Sequence, residues 1–264
     1  MSSNASSLIR LFPSRARSGG TPYVRLFCFP YAGAGASRFS GWADSLPSWI
    51  QIAAIQLPGR EDRWSEPSVA SMAPIVEALS REIPRFLDLP IAIFGHSLGG
   101  LLGFEFGRLL ERQFRLSPLQ LVVSAVEAPS ARPSRHPILH RMPDQDFLNE
   151  IIKLDGVPRE VQANDELLAL MLPVLRADVT MYETYRLSFQ PPLSCPILVI
   201  GAEGDTRVSP ASLSEWRRHT RNRCELYRFP GNHFYLHPHR DSLLGLIASR
   251  LGMTLSHATL AARA

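Results

Sequence analysis

The sequence predicts an α/β fold with a mostly parallel central sheet flanked by helices. Apolar runs of strand length recur along the 264 residues, and most are continuous rather than alternating, as in parallel strands covered on both faces. Helical patterns lie between these runs, and such alternation of strand and helix is typical of a parallel sheet. In addition, a Gly-x-Ser-x-Gly sequence stands between one run and the helix that follows it.

Six strands and four helices follow from these patterns. The predicted strands are residues 23–29, 50–57, 89–95, 119–126, 195–202 and 224–230. The predicted helices are residues 72–87, with Ser71 as N-cap, then 98–112, 211–220 and 240–251. We expect a single domain over residues 23–252, with a flexible N-terminal tail (1–22) and a C-terminal tail (253–264).

The alternation stops between residues 127 and 194, where no strand is predicted. Asp144 is placed to cap a helix through Leu154, and Asn164 to cap a longer helix from Asp165 toward Arg186, bent at Pro173. Sheets of this kind hold their sites in loops at the strand ends, so a helical insertion there often covers the site. We therefore predict a helical lid; a peripheral helical pair is the alternative.

Charge and composition exclude several classes of protein. The formal net charge is +4, but five arginines precede the first acidic residue and leave the rest of the chain near neutral, without the basic surface of a nucleic-acid binder. No apolar run approaches the roughly 18–20 residues of a membrane span. Three cysteines in apolar surroundings are expected to be reduced thiols, which favours the cytoplasm. We expect a monomer.

Ser97 is the predicted nucleophile. It lies in Gly95-His96-Ser97-Leu98-Gly99, directly after a predicted strand and before a predicted helix. This context defines a nucleophile elbow, a tight turn with a strained serine whose neighbours must be small. The helix amino terminus behind the serine also favours developing negative charge. The alternative is a glycine-rich helix start with no chemical role.

The nucleophile needs a base, and the base needs an orienting carboxylate. Of the eight histidines, His233 alone follows a late strand through a glycine turn. Asp205 follows the strand before it, and Gly204 allows the turn to deliver that carboxylate over the sheet edge; Glu203 is its competitor. The order serine, acid, histidine is the one expected of such a fold.

Two backbone N–H groups are predicted to stabilise the oxyanion. Leu98 supplies one, as the residue after the nucleophile. The small-residue loop after the first predicted strand, residues 30–36, supplies the other, and within it we select Ala32. A glycine-rich loop also suggests phosphate binding, but both nucleotide-binding glycine motifs are missing here.

Five motifs carry a resemblance to a known family. They are LFCFPYAGAGAS (26–37), QLPGRE (56–61), FGHSLGG (94–100), LPVLRAD (172–178) and GNHFYL (231–236). In this order and register, from about residue 24 to 251, the chain resembles the discrete type II thioesterases of polyketide synthases and nonribosomal peptide synthetases. Ala34 and Asn232 stand where that family often has glycine, and PGRE has no evident chemical role beyond shaping a loop.

The resemblance implies an α/β-hydrolase fold with a helical lid. It implies hydrolysis of acyl or aminoacyl thioesters from the phosphopantetheine arm of carrier proteins, which removes misprimed or stalled chains. The family's nucleophile, acid and base fall on Ser97, Asp205 and His233, and its oxyanion donors on Ala32 and Leu98. No cofactor or metal is expected.

Other functions share this triad. A general small-ester hydrolase or an acyltransferase uses the same residues, and a non-catalytic binding module on this fold is a further alternative. Because carrier proteins are usually acidic, a basic docking patch is a candidate feature. It comprises Arg217, Arg218, Arg221, Arg223 and Arg228 against only Glu215 and Glu225, and a solvated face is the competing interpretation.

Overall fold

One seven-stranded sheet organises the protein. The computed structural model describes residues 7–13, 21–131, 138–154, 156–157 and 159–261. Its strand order is β1-β3-β2-β4-β5-β6-β7, and every neighbouring pair is parallel except β1 with β3. The strands are β1 (Ile9–Phe12), β2 (Val24–Phe29), β3 (Ile50–Ile55), β4 (Ile91–His96), β5 (Gln120–Ser124), β6 (Ile197–Ala202) and β7 (Cys224–Phe229). The predicted α/β class and mostly parallel sheet are confirmed.

The central strands are buried on both faces, which explains their continuous apolar sequences. Every residue of β2, β4, β5 and β6 is buried. Phe27 of β2 belongs to the core on one face of the sheet, whereas Leu26 and Cys28 belong to the core on the other. Helices cover each face of the sheet and exclude water from both cores, so both faces of the central strands are mainly apolar.

Eight α-helices are present among the described residues: α1 (Trp42–Ser45), α2 (Met72–Glu82), α3 (Leu98–Phe114), α4 (Asp144–Lys153), α5 (Arg159–Gln162), α6 (Asp165–Thr184), α7 (Pro210–Ser214) and α8 (Arg240–Ala261). Two predicted helices end as 3₁₀ turns, Ile83–Phe86 and Glu215–His219. In the first, Pro84 has no N–H to continue the α-helical hydrogen bonds. No helix within the described ranges is long and apolar enough to cross a membrane.

Both segments that the sequence predicts to be tails contain secondary structure. β1 lies within the N-terminal segment and pairs antiparallel with β3, and α8 continues through Ala261. Leu8 and Ile9 are buried, and the Leu8 N–H donates to Glu82 on α2. The short strand was missed because tertiary contacts, rather than its four residues alone, stabilise it. Residues 1–6, 14–20 and 262–264 lie outside the described ranges.

Helices α4, α5 and α6 form the predicted insertion between β5 and β6. Asn164 caps α6 by accepting a hydrogen bond from the Leu167 N–H at 3.1 Å. Asp144 is the first residue of α4, and Pro143 occupies the cap position instead. The insertion has its own small core, which joins α4 to α6: Leu139, Phe147, Ile151, Val157, Leu175 and Val179. Residues 132–137, 155 and 158 lie outside the described ranges.

We expect the Ile9→Ala substitution to lower the free energy of unfolding by about 2 kcal/mol, because it removes a buried aliphatic side chain from the edge of the core. Leu11→Ala is the matched control, since Leu11 is on the same strand but 44% exposed. Urea unfolding of both variants checks this. Equal stability of the two would contradict the structural role of β1.

Candidate active site

Ser97 occupies a strained turn between β4 and α3. Its backbone has φ 54° and ψ −120°, a conformation that non-glycine residues rarely adopt. The Ser97 N–H donates to the carbonyl of Ser124 at 2.8 Å, and its own carbonyl accepts from the Gly100 N–H at 2.9 Å. The turn is thereby tied both to β5 and to the first turn of α3.

The glycines around Ser97 are required by close backbone contacts. A Cβ atom at Gly95 would lie 2.0 Å from the Gly99 carbonyl oxygen, and one at Gly99 would lie 2.1 Å from the Phe29 carbonyl oxygen. Neither backbone atom can move without displacing a strand or a helix. The second contact also sets the distance between the Ser97 turn and the end of β2, where the predicted oxyanion loop begins.

His233 links Ser97 to Asp205. Its Nε2 lies 3.1 Å from the Ser97 Oγ, and its Nδ1 lies 2.8 Å from the Asp205 Oδ2. With the proton on Nδ1 donated to the carboxylate, Nε2 is free to accept the hydroxyl proton. The three residues follow β4, β6 and β7, whose carboxyl ends lie at the same edge of the parallel sheet. The structure therefore brings together the three side chains selected from the sequence.

The surroundings of Asp205 keep it ionised. Its side chain is 1% exposed, and its other oxygen accepts hydrogen bonds from the N–H groups of Arg207 at 2.8 Å and Val208 at 3.2 Å. Burial acts to raise the pKa of Asp205, but the contact with His233 and the two N–H groups outweigh burial, and the pKa lies below its ordinary value. An ionised carboxylate is the form that orients and stabilises a histidinium.

The competing acid and the other histidines have different surroundings. The Glu203 side chain is exposed, while its backbone N–H donates to the Phe229 carbonyl.

His140 pairs with Glu183, and His219 contacts Ser130. His237 contacts the hydroxyl of Tyr31, and the ring of His239 stacks on Phe229. His136 and the side chain of His257 lie outside the described part of the chain.

His96 packs against the base of the triad, with its ring centroid 5.4 Å from that of His233. It is fully buried, and its Nδ1 is 2.8 Å from the Ser124 hydroxyl, which in turn is 2.5 Å from the Tyr235 hydroxyl. Burial, followed by the nearby His233 and His237, holds the pKa of His96 well below its usual range. A neutral His96 under His233 adds no charge that would oppose protonation of the base.

A cavity of about 250 Å³ opens on Ser97 beneath the insertion. Ala32 and Leu98, the two predicted oxyanion donors, line it together with Ser97 and His233. The insertion contributes apolar side chains from both of its long helices: Ile151, Leu175, Val179 and Tyr182. The helices of residues 127–194 thus cover the site, as expected of a lid.

Sequence reasoning assigned no role to two residues that hold the loop containing Ala32. Asp178 of α6 accepts a hydrogen bond from the Gly33 N–H at 2.7 Å. Arg60 forms an ion pair with Asp178 at 2.6 Å and donates to the Ala34 carbonyl at 3.2 Å. The PGRE and LRAD motifs were the available signals, but they lie 118 positions apart and only the folded chain joins them.

Four of the five clustered arginines lie at the amino end of β7, whereas Ser97 and His233 follow the carboxyl ends of their strands. Arg217, Arg218, Arg221 and Arg223 precede β7, whereas His233 follows it. Two of them pair with acids, Arg218 with Glu215 at 3.0 Å and Arg223 with Glu225 at 2.7 Å. Arg217 and Arg221 donate to backbone carbonyls of neighbouring turns. Only Arg228 lies near the carboxyl end of β7.

No group of three or more His, Cys, Asp and Glu side chains within the described ranges is arranged to hold a metal ion.

Comparison with known proteins agrees with this site. The sequence matches the thioesterase domain family over residues 24–251. It is 35% identical over 233 residues to the gramicidin S biosynthesis protein GrsT of Aneurinibacillus migulanus, covering 88% of this chain and 91% of the relative. The type II thioesterase BorB of the borrelidin biosynthetic cluster superimposes with a TM-score of 0.82 at 34% identity, covering 94% of this chain and 100% of BorB.

A second solved structure gives the same result. The RedJ thioesterase of the prodiginine biosynthetic pathway in Streptomyces coelicolor superimposes with a TM-score of 0.82 at 34% identity, covering 87% of this chain and 91% of RedJ. The family match spans β2 to β7, the lid and all the site residues described above. With its α/β-hydrolase fold, the chain therefore belongs to the thioesterase family of hydrolases.

Proposed function

We propose that this protein is a type II editing thioesterase. It hydrolyses acyl or aminoacyl thioesters from the phosphopantetheine arm of carrier proteins, and so removes misprimed or stalled chains from polyketide or nonribosomal peptide assembly lines. One observation carries the proposal: Ser97, His233 and Asp205 form a continuous hydrogen-bonded chain at the mouth of a lid-covered cavity. The named relatives support the proposal, since BorB is a type II thioesterase of the borrelidin biosynthetic cluster.

Acylation is the first step. His233 accepts the proton of Ser97 as the Oγ attacks the thioester carbonyl, and Asp205 stabilises the resulting imidazolium. The N–H groups of Ala32 and Leu98 donate to the oxyanion of the tetrahedral intermediate. The C–S bond then breaks, and His233 returns the proton to the departing phosphopantetheine thiolate. An acyl ester on Ser97 remains.

Deacylation repeats these steps with water as the nucleophile. His233 removes a proton from water, whose oxygen attacks the acyl ester while the same N–H groups hold the oxyanion. Collapse of the intermediate breaks the C–O bond to Ser97 and returns the proton to Oγ. The products are a free acid and the restored hydroxyl, so this step consumes only the acyl ester and one water molecule.

The cavity favours an apolar acyl group. Its solvent-accessible lining is mostly carbon, contributed by the lid helices and Phe234. Burying an alkyl chain there is favourable by about 0.8 kcal/mol for each methylene group. Polar side chains from the lid and from the loop after β6 also line it: His140, Arg141, Glu183, Arg186 and Arg207. The carrier is therefore expected to dock at this edge of the sheet.

We propose a cytoplasmic monomer with no bound cofactor. The relatives belong to biosynthetic pathways, and the three cysteines are free thiols, as in a reducing compartment. Cys28 and Cys195 are buried, and burial raises the pKa of the Cys28 thiol well above its usual value.

Substitutions in the triad test the assignment. We expect Ser97→Ala to lower kcat by several orders of magnitude, and Asp205→Asn to lower it by about 10³- to 10⁴-fold because the histidine loses its orienting charge. Hydrolysis of an acyl thioester, followed by detection of the free thiol, measures both. Glu203→Gln is the matched control, since Glu203 precedes Asp205 by two positions and faces solvent. Near-native turnover of Ser97→Ala would contradict the mechanism.

Carrier dependence tests the substrate. We expect rapid Ser97-dependent release of an acyl group from a phosphopantetheinylated carrier protein, well above the rate for the same acyl group on N-acetylcysteamine. Intact-protein mass spectrometry of the carrier follows the release. Equal rates on both substrates would indicate a general esterase. Transfer of the acyl group to an added alcohol or amine in preference to water would indicate an acyltransferase.

Charge reversal tests the docking edge. We expect Arg218→Glu/Arg221→Glu to leave KM for the acyl-carrier within two-fold, because both residues precede β7 at the edge away from Ser97. Arg141→Glu, at the cavity, is expected to raise that KM several-fold through repulsion of an acidic carrier. Steady-state kinetics with carrier and N-acetylcysteamine substrates separate docking from chemistry. A raised KM for the first variant alone would place the carrier on the arginine cluster.

A further inference from the structure

Three of the sequence motifs meet at one buried ion pair: PGRE, LRAD and the small-residue loop after β2. Arg60 comes from PGRE, Asp178 from LRAD, and both contact the small-residue loop after β2. The two side chains are 7% and 0% exposed. Arg60 donates to the carboxylate through two nitrogens, Nη1 to Oδ2 at 2.6 Å and Nη2 to Oδ1 at 2.9 Å. This is the bidentate geometry in which an arginine fixes both the place and the orientation of a carboxylate.

Stability alone does not account for such a pair. Taking both charges out of water costs several kcal/mol, and apolar residues of similar volume are often as stable or more so. The pair does orient one oxygen for a further contact. Oδ2 of Asp178 also accepts the Gly33 N–H at 2.7 Å, so each part of the carboxylate has a defined partner. The geometry points to a role in the loop that Gly33 belongs to.

That loop begins with a tight turn around Ala32. The Ala34 N–H donates to the Tyr31 carbonyl at 3.0 Å, and Gly33 has φ +78°, as expected for the third position of a type II turn. The Gly33 N–H belongs to the central peptide of this turn, the one that reverses direction between turn types I and II. With that peptide reversed, the Ala32 carbonyl would face the Asp178 carboxylate, and two acceptors would repel.

The lid helix α6 contacts the same turn at a second point. A Cβ atom at Gly33 would lie 2.5 Å from the Leu175 Cδ2, and Leu175 is one helical turn before Asp178. From the other side, Arg60 donates to the Ala34 carbonyl, and Gln56 accepts the Ala36 N–H at 2.7 Å. The turn is therefore held between α6 and the segment after β3.

We propose that Asp178, oriented by Arg60, is a positioning residue that holds the turn bearing the oxyanion donor Ala32. The inference rests on the oxyanion role proposed above for Ala32. Through it α6, whose Leu175 and Val179 line the acyl cavity, is a fixed part of the catalytic site rather than only its cover. Removing the Asp178 contact releases the turn and misplaces the Ala32 N–H, while the triad stays intact.

The first test separates chemistry from binding. We expect Asp178→Asn, whose amide nitrogen would face either the Arg60 Nη2 or the Gly33 N–H and so place one donor against another, to lower kcat on an acyl-N-acetylcysteamine thioester about 10- to 100-fold, with KM within two-fold, because misplacement of a catalytic group by about 1 Å costs this much. A trifluoromethyl ketone analogue, which forms an oxyanion on Ser97, is expected to lose affinity by the same factor. The corresponding thioether, which has no carbonyl, is expected to bind as it does to the wild type.

The second test excludes a general loss of structure. The double variant Arg60→Met/Asp178→Leu removes both charges and leaves none buried without a partner, so its urea unfolding midpoint is expected to match or exceed that of Asp178→Asn. It still lacks an acceptor for the Gly33 N–H, so its kcat and trifluoromethyl ketone affinity are expected to stay low. Wild-type values for both in this double variant would overturn the proposal.

Glu105→Gln is the matched control. Glu105 pairs with the buried Arg108 at 2.5 Å and accepts a hydrogen bond from Tyr185, just after α6, but it makes no contact with the turn around Ala32 in the described structure. We expect its kcat and analogue affinity to remain at wild-type values even if its unfolding midpoint falls. An equal loss of kcat in Glu105→Gln would also overturn the proposal. A wild-type enzyme without thioester hydrolysis or analogue binding would instead refute the proposed function on which the inference rests.

Discussion

The close passage of backbone against backbone at the Ser97 turn is the constraint on which the rest of the site depends. No side chain fits at Gly95 or Gly99, because a Cβ there would lie within about 2 Å of a carbonyl oxygen. The turn can therefore hold Ser97 at a positive φ while its ends remain part of β4 and α3. The cost of that strain, of order 1–3 kcal/mol for such a residue, is met by the fully buried strands around it. The same contact with Phe29 sets how closely the loop after β2 approaches the serine.

The parallel sheet also brings the three triad residues together in one place. Because β4, β6 and β7 run in the same direction, the residues that follow them emerge at the same end of the sheet, although Ser97 and His233 are 136 positions apart in the sequence. Beneath that end, the buried chain from His96 through Ser124 to Tyr235 fills the space under His233 without adding charge. His233 thus packs against the neutral ring of His96, and its orientation is set by Asp205.

Helix α6 of the lid is hydrogen-bonded to the loop that contains Ala32. Asp178 and Leu175 of α6 both contact Gly33, and Arg60 closes the arrangement from the segment after β3. A helix anchored in this way can shape the acyl cavity and support the oxyanion loop at the same time. The other long helix of the lid, α4, contacts α6 through apolar side chains and through the ion pair of Asp144 with Arg176 at 2.6 Å. Substrate choice and catalytic geometry are therefore coupled through α6 in this fold.

Patterns in the amino-acid sequence were enough to predict the class of fold and to select the triad residues. Continuous apolar strands, the glycines around Ser97 and the order of Asp205 and His233 are local signals, each carried by a few adjacent residues. The same patterns did not predict β1, which is a strand because its edge pairs with β3 and its buried residues complete the core. Nor did they predict the partnership of Arg60 with Asp178, or the remoteness of the arginines before β7 from the site. These features depend on which residues the sheet and the lid bring into contact, and contacts between positions so far apart in the chain exist only once it has folded.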